Sequence, residues 1–486
     1  MKHKPLKALL AGLSLGAAAA AALAQPYDTP PPPAAPREPR IAAPAEGRLL
    51  NGLGVVVAER HDVPLVTARL VVLSGAEVDP PQRAGLASVT AGLLTRGTRR
   101  RSAPALVAAA EALGGSLDSG AGWNASQVGI TVTTPKLPAA LALVSEVVMR
   151  PAFAPAEIER YRTQALDEMK VAYAEPGTLA GLTAQRAVFG DGSYGHPVSG
   201  TPASLPRLTR ADIAKLHAGI YRPDNAVLVL AGDVDLPTAL QLAQRHFGGW
   251  RAPHTPIPKA PPPAARPWPE GVVVIDMPGA GQAGVAMALP TIASDAPDRI
   301  AGMVTNAVLG TGYSSRLNQE IRIKRGLSYG ARSHLDTRRG VGVLRVGVQT
   351  KNPSAAEVVG LVSGELDRLM HTPVPAEELA ARKANLIGGF SRSLETTSGL
   401  ADEVVALQIA GLPASDLVQR IPELEEVSIS DVQAFAMKNF DAARRRAVVA
   451  GVASEFEAGL KPLAPKVVVV PQGKLDLEAR GLPGLE

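Results

Sequence analysis

The sequence lacks cysteine, a strong charge of either sign and any long hydrophobic run beyond its start. Without cysteine the 486-residue chain can form neither a disulfide nor a lipid-modified cysteine, so hydrophobic cores must hold its fold. The formal net charge is +5, and Lys2, Lys4 and Lys7 contribute three of those charges, which argues against binding to nucleic acid or an anionic membrane. The length is enough for about two to four domains.

The one hydrophobic run lies at the N-terminus. MKHKPLK is followed by an alanine-rich run from Ala8 to Leu23, and ALAQ places an A-x-A cleavage site before Gln25. Residues 1–24 are therefore predicted to be a secretory signal peptide, cut after Ala24. The alternative, a membrane anchor, is disfavoured because the run of about 16 residues is shorter than the roughly 20 that span a bilayer. The mature protein is expected to be soluble and periplasmic.

Two proline-rich segments divide the rest of the chain. Residues 25–46 are predicted to be an extended N-terminal arm. Residues 253–270 are predicted to be an interdomain linker, because their prolines cannot sustain a helix or a central strand. They delimit a first domain at 47–252 and a second domain at 271–470, which is followed by a C-terminal tail at 471–486.

The two domains are predicted to be copies of each other. PAEIERYRTQAL at Pro155–Leu166 matches PAEELAARKANL at Pro375–Leu386, and a second pair of segments matches in the same order, both at an offset of about 220 residues. In each copy, apolar strands come first, followed by a helix, further strands, a run of helices and a last strand. This order predicts an α+β fold in which each domain is a mixed, mainly antiparallel sheet with helices packed on one face.

Several common sites are excluded. GAGQAG, at Gly279–Gly284, has the letters of a dinucleotide-binding fingerprint, but a strand-like segment follows it, so a turn between two strands is predicted. Neither G-x-x-x-x-G-K-[ST] nor G-x-S-x-G occurs, and the eight histidines include no i, i+4 pair that could begin a zinc site on a helix. The run Arg99, Arg100 and Arg101 is predicted to be a solvated helix end that complements the helix dipole.

GLASVTAGLLTRGT, from Gly85 to Thr98, predicts a short amphipathic helix framed by glycines. With ALDEMK, YGHPVSGTPASLPRLTRADI and LGTGYSSRLNQEIRIKRGLSYGARS, it resembles the pitrilysin-like zinc metallopeptidases, or inverzincins, particularly their shorter bacterial members. The resemblance spans Leu49 to Leu463. It implies the two-domain metallopeptidase fold of that family.

The resemblance also implies that the zinc motif is lost. Catalytic members carry H-x-x-E-H on this helix, where two histidines bind zinc and the glutamate is the general base, and a distant glutamate completes the site. Those positions are Ser88, Ala91 and Gly92 here, and the distant ligand position is Glu168, which is expected to be a vestigial ligand with a helix-surface role. No metal is expected in this chain. The three small residues are expected to leave free space on this face of the helix.

An arginine and a tyrosine that act on the substrate in active family members are retained in this sequence. In active members an arginine and a tyrosine seven residues apart hold the substrate and stabilise the oxyanion, and EIRIKRGLSYG supplies Arg322 and Tyr329 at that spacing. Gly326 is expected to end the helix so that Tyr329 starts a strand. Both side chains can donate hydrogen bonds to a carbonyl oxygen that gains charge. The alternative is that Tyr329 is a half-buried strand residue and Arg322 is one of several exposed bases.

The resemblance implies a functional pairing. A chain with two domains, no zinc motif and a retained Arg/Tyr pair fits the non-metal subunit of a heterodimer, in which a homologous H-x-x-E-H subunit supplies the zinc for peptide hydrolysis. The alternative is a non-proteolytic scaffold or peptide-binding protein, as in the core subunits of the mitochondrial cytochrome bc complex. Whether the chain forms a heterodimer or a homodimer stays open.

Overall fold

The structure is a computed structural model that describes residues 42–80, 82–264, 267–268, 270–479 and 481. The predicted signal peptide, residues 1–24, and the predicted arm up to residue 41 lie outside the described residues. Within the described part of the chain, no helix combines the length and apolar character needed to cross a bilayer.

Twelve strands in the described residues form two six-stranded sheets. The first sheet has the order β1-β2-β6-β3-β5-β4 and the second has the order β12-β7-β11-β8-β10-β9. The strands of the first sheet are β1 (Ala45–Arg48), β2 (Gly54–Glu59), β3 (Leu65–Val72), β4 (Asp118–Ala121), β5 (Ser126–Thr133) and β6 (Ala226–Gly232). The strands of the second sheet are β7 (Val272–Asp276), β8 (Ala283–Thr291), β9 (Ala331–Asp336), β10 (Gly342–Thr350), β11 (Arg446–Gly451) and β12 (Val467–Pro471).

Five strands of one sheet correspond to five strands of the other. In each sheet the first central strand pairs parallel with the last one, β2 with β6 and β7 with β11, and the other pairs among these five are antiparallel. The sixth strands differ: β1 precedes its sheet in the chain and runs antiparallel to β2, whereas β12 follows its sheet and runs parallel to β7. The predicted α+β fold with two homologous mixed sheets is confirmed.

Helices surround both sheets. Those of the first half are α1 (Leu86–Leu93), α2 (Ala103–Glu111), α3 (Leu137–Met149), α4 (Pro155–Ala174), α5 (Pro176–Phe189), α6 (Arg210–Ile220) and α7 (Leu236–Phe247). Those of the second half are α8 (Arg299–Gly310), a π-helical turn (Asn318–Ile323), α9 (Ala355–His371), α10 (Ala376–Ser393), α11 (Thr397–Ala410), α12 (Asp416–Glu426), α13 (Ile429–Asn439) and α14 (Glu457–Leu460).

The repeat extends to the way in which equivalent helices begin. Helix α6 starts with a capping box between Thr209 and Asp212, and its counterpart α13 starts with one between Ser428 and Asp431. In each box the hydroxyl accepts from the backbone of the third helical residue, and the carboxylate accepts from the backbone of the cap. The same device therefore starts the helix that leads into the last central strand of each half.

The two halves exchange helices. One face of each sheet is covered by helices of its own half, which is the packing that the sequence predicts. The opposite face is covered by the other half: α5 lies on the second sheet, and α11, with parts of α10 and α12, lies on the first. The contact of α5 with the second sheet is close, because a Cβ added at Gly284 of GAGQAG would lie 2.5 Å from the Cα of Gly177. Gly284 therefore serves helix packing at the start of β8, and the rest of GAGQAG forms the turn between two strands that the sequence predicts.

A fully buried arginine joins the halves. Arg338, in the β9–β10 turn of the second half, is 1% exposed, and its guanidinium lies 4.4 Å from the ring centre of Trp123 and 5.1 Å from that of Tyr194, both in the first half. It donates to Asp336 at 2.5 Å and to the amide oxygen of Gln185 at 3.3 Å. Aromatic rings and a carboxylate together offset part of the loss of hydration of this charge, while Nη1 is buried without a hydrogen-bond partner.

The neighbouring residue extends this connection. Arg339 donates to the backbone oxygens of Leu73 and Asn124 at 2.9 and 3.1 Å, and its own backbone oxygen accepts from the Tyr194 hydroxyl at 3.0 Å. Its guanidinium also lies 3.4 Å from Glu77, whose pKa burial raises to about 7. The two halves therefore meet through a polar cluster as well as through the exchanged helices.

Candidate functional site

Helix α1 is held in a defined position although it carries no histidine or glutamate. Gly85 precedes it with a φ of 88°, and a Cβ at this position would lie 2.8 Å from the Cα of Gly200. The buried carboxylate of Asp79 accepts from the backbone amides of Gly85 and Ala87, both at 2.9 Å. Burial raises the pKa of Asp79, and these two amides oppose that shift. The helix is thus positioned by contacts that require no metal.

The face of α1 that bears the degenerate motif is filled by a tyrosine. A Cβ added at Gly92 would lie 2.5 Å from Cε2 and 2.8 Å from Oη of Tyr161, which α4 presents to this helix. Burial raises the pKa of Tyr161, an effect that the nearby Ser88 side chain opposes in part, so the phenol stays neutral at neutral pH. The expectation of free space beside Ser88, Ala91 and Gly92 is therefore wrong, because the Tyr161 ring occupies it.

The residues at this place do not fit a zinc ion. Ser88, Ala91 and Gly92 offer no imidazole or carboxylate, and the described residues contain no group of three histidine, aspartate or glutamate side chains that could hold a metal. Glu168 lies on the exposed surface of α4, two turns beyond Tyr161, and accepts from the Gln164 amide at 2.9 Å. Ser88 and Gly92 thus lie beside a phenol, whereas Glu168 lies on the exposed surface of the helix that carries this phenol.

The contact between Gly92 and Tyr161 gives a first prediction. Gly92→Ala should lower the free energy of unfolding by about 1–3 kcal/mol, although alanine favours a helix by about 1 kcal/mol, because the new methyl group overlaps the Tyr161 ring. Gly364→Ala, in α9 with open space around its Cα, is the matched control and should be neutral or stabilising. Urea unfolding measures both. A Gly92→Ala variant as stable as Gly364→Ala would contradict this packing.

Arg322 and Tyr329 lie in the segment that precedes β9, the edge strand of the second sheet. Arg322 lies in the π-helical turn, and Gly326, with a φ of 63°, ends this turn as the sequence predicts. Tyr329 does not start a strand, because β9 begins two residues later at Ala331. The Tyr329 side chain is 90% exposed, which excludes the half-buried alternative.

The side chains of Arg322 and Tyr329 have different neighbours. The Arg322 guanidinium lies 4.9 Å from the ring centre of Tyr313, itself largely exposed, so a cation–π contact orients it. Tyr329 lines a cavity of about 390 Å³ together with Arg332 and with Gly177 and Thr178 at the start of α5. The cavity therefore has walls from both halves, with a phenol and a guanidinium available as hydrogen-bond donors.

Three residues of these sites are absent from the sequence predictions. Tyr161 falls between two family motifs, and its contact with Gly92 depends on how α4 crosses α1. Tyr313 and Arg332 flank the Arg/Tyr pair in sequence, and their proximity to it is the one signal that could have singled them out. Among the described residues, no hydrogen bond or ion pair joins Tyr161, Ser88 or Glu168 to Arg322 or Tyr329.

Comparisons with known proteins agree with this arrangement. The family model described as insulinase, peptidase family M16, matches residues 55–201, and the model described as peptidase M16 inactive domain matches residues 207–386. An uncharacterized zinc protease of Mycobacterium tuberculosis is 28% identical over 83% of this chain and 93% of its own length. The non-peptidase homolog YmxG of Helicobacter pylori is 22% identical over 78% of this chain and 88% of its own length.

A solved structure is similar over most of the chain. The crystal structure of a peptidase M16 inactive domain from Pseudomonas fluorescens has a TM-score of 0.79 and 25% sequence identity, and it covers 88% of this chain and 100% of that one. The duplicated sheets and the two matched models therefore define a metallopeptidase-like protein whose second half matches the inactive M16 domain. The chain belongs to peptidase family M16, and the resemblance to the pitrilysin-like peptidases is confirmed.

Proposed function

We propose that this inactive M16 protein is the non-metal subunit of a heterodimeric periplasmic zinc metallopeptidase. A homologous partner that carries H-x-x-E-H would supply the zinc and the attacking water. This chain would contribute Arg322 and Tyr329, which hold the peptide and donate hydrogen bonds to the carbonyl oxygen as it gains negative charge. The first domain of this chain would help to enclose the peptide.

The observation that carries the proposal is the contrast between the two halves. Tyr161 packs against Gly92 in the first half, whereas Tyr329 in the second half is 90% exposed. An aromatic side chain in a structural role would be packed against its neighbours. Full exposure of the phenol, seven residues along the chain from the guanidinium of Arg322 that Tyr313 orients, fits a role toward a molecule that comes from outside.

The test is reconstitution with the partner. The candidate partner is the H-x-x-E-H protein that co-purifies with this chain, and the two chains are purified separately and mixed. We expect the mixture to cleave peptides, and Arg322→Ala or Tyr329→Phe to lower kcat/KM by at least about tenfold, because each removes a donor to the developing oxyanion. Lys351→Ala, an exposed base of the same half, is the control and should keep full activity.

Two results would contradict the proposal. If the partner alone cleaves peptides as fast as the mixture, this chain contributes nothing to catalysis. If both variants assemble with the partner and leave kcat/KM unchanged, Arg322 and Tyr329 are not used. Either result would favour the alternative of a non-proteolytic scaffold or peptide-binding protein.

The proposed periplasmic location rests on the predicted signal peptide. A cleavable signal over residues 1–24 would deliver the mature chain to the periplasm. Cell fractionation and N-terminal sequencing should therefore find the protein in the periplasm with Gln25 as its first residue.

A further inference from the structure

The arginine run at residues 99–101 forms a tight hairpin. The Thr98 amide donates to the Arg101 carbonyl at 2.8 Å. The flanking residues Gly97 and Ser102 form an antiparallel bridge. The Arg99 amide donates to the Arg150 carbonyl at 3.1 Å, which ties the hairpin to the end of α3. The three arginines are exposed as expected, but the expectation of a helix end is wrong, because the run is a turn beside a second helix.

The buried carboxylate of Glu146 holds this hairpin in place. The Thr98 hydroxyl donates to Glu146 at 2.6 Å and accepts from the backbone amides of Arg100 and Arg101 at 3.1 and 2.9 Å. The other oxygen of Glu146 accepts from the Arg101 guanidinium in a short contact. The hairpin is therefore pre-organised, and Glu146 is already occupied by Thr98 and Arg101.

A cavity of about 560 Å³ opens beside the hairpin, between α2, α3 and α7. Its floor is apolar and its other lining is mainly basic. The apolar lining comes from Ala109, Leu113, Ala139, Ala142, Leu143 and Met149. The polar lining comes from Arg100, Arg101, Ser145, Glu146, Arg150, Arg245 and His246.

The basic side chains exceed the acids that could neutralise them. Of the four arginines, only Arg101 forms an ion pair with another described residue. Arg100, Arg150 and Arg245 are exposed at the mouth of the cavity, and Nε2 of His246 is buried without a hydrogen-bond partner. Three like charges around one concave surface raise the local positive potential, which favours the binding of an anion there.

We propose that this pocket binds an organic anion, whose carboxylate or phosphate lies between Arg100, Arg150 and Arg245 and whose apolar part lies on Leu113, Leu143 and Met149. The planar guanidinium fork suits both anionic groups and can bind them in a bidentate way. The apolar floor adds affinity that an inorganic ion could not gain. Such a ligand could be a soluble amphiphile or the headgroup region of an anionic lipid.

A merely structural explanation makes a different prediction. Arg150 caps the C-terminal end of α3, and Arg245 and His246 lie in the last turn of α7, where positive charge complements the helix dipoles. If that is their whole role, substitution would lower thermal stability slightly, and no anion would bind differently to the variants.

The experiment compares dodecyl phosphate, inorganic phosphate and dodecyltrimethylammonium as probes for the mature protein, by calorimetry with monomeric amphiphile. We expect dodecyl phosphate to bind and the other two to bind at least about tenfold more weakly. Arg150→Ala and Arg245→Ala should each weaken binding of dodecyl phosphate by about tenfold or more, because each removes a charge-assisted hydrogen bond. Arg251→Ala, an exposed arginine outside the pocket, is the matched control.

Vesicles distinguish the two sources of ligand. Flotation with phosphatidylcholine vesicles, with and without phosphatidylglycerol, would reveal a lipid headgroup as the ligand if only the anionic vesicles bind and Arg150→Ala abolishes this binding. Three results would overturn the proposal: no binding of dodecyl phosphate or anionic vesicles, equal binding of inorganic phosphate and dodecyl phosphate, or equal binding by the native protein and both variants.

Discussion

Expressed separately, residues 25–262 and 263–486 are each expected to be insoluble or unfolded, whereas the same two fragments expressed together are expected to assemble. The helix exchange is the reason. In the intact chain, one face of the first sheet, including Val56, Val71 and Val229, is covered by residues that come from the other half. The second sheet depends in the same way on α5 of the first half.

The energies involved are larger than the net stability of a domain. Fully burying a valine, leucine or phenylalanine side chain contributes about 1.5–3 kcal/mol, and each exchanged interface buries more than a dozen apolar residues. A typical domain is stable by only about 5–15 kcal/mol. Exposure of one sheet face should therefore unfold the isolated half or make it aggregate, because its strands would present a continuous apolar surface.

A substitution in the intact chain tests the same interface. Val404→Asp places a carboxylate on the face of α11 that is fully buried against the first sheet, and should prevent folding or greatly lower the yield of soluble protein. Ala406→Asp, on the exposed side of the same helix, is the control and should change stability little. Soluble, cooperatively unfolding separate halves, or equal behaviour of the two aspartate variants, would contradict the exchange.

The second large effect is expected at Arg338. Arg338→Ala should lower the free energy of unfolding by about 3–5 kcal/mol, because it empties the space between Trp123 and Tyr194 and leaves the Asp336 carboxylate without its main partner. Arg338→Met should cost less, because its thioether refills part of the space beside the aromatic rings. Urea unfolding followed by tryptophan fluorescence measures both.

Arg345 provides the matched control. Its guanidinium lies 3.7 Å from the same Asp336 carboxylate, but it is partly exposed. Arg345→Ala should therefore cost less than about 1 kcal/mol. An Arg338→Ala variant that loses no more stability than this control would show that the buried arginine does not hold the two halves together.

Much of the fold could be predicted from local pattern. Apolar runs such as NAVLVLAG and RAVVAG are strands because their β-branched and aliphatic residues are buried on both sides, and the duplication sets two similar sheets. The turn at GAGQAG was predictable because no helix follows its glycines. The edge strands β4 and β9 could not be predicted with the same certainty, because they are short or carry polar residues.

The remaining features depend on contacts between distant segments. An amphipathic helix indicates that one side is buried, but it does not indicate which sheet buries it, so the exchange of α5 and α11 has no local signature. The small residues at Ser88, Ala91 and Gly92 indicated lost chemistry, yet only the position of Tyr161 shows that the space is filled. Likewise, the charges of Arg99 to Arg101 are visible in the sequence, whereas their attachment to α3 is not.

The unequal sixth strands bear on the history of the chain. Five strands have the same order and the same directions in both sheets, so they descend from the unit that was duplicated. The sixth position is filled by β1 from the N-terminal side in one sheet and by β12 from the C-terminal side in the other, with opposite directions relative to their neighbours. β1 and β12 are therefore not equivalent copies within the duplication, although each covers the corresponding sheet edge, beside β2 in one half and beside β7 in the other.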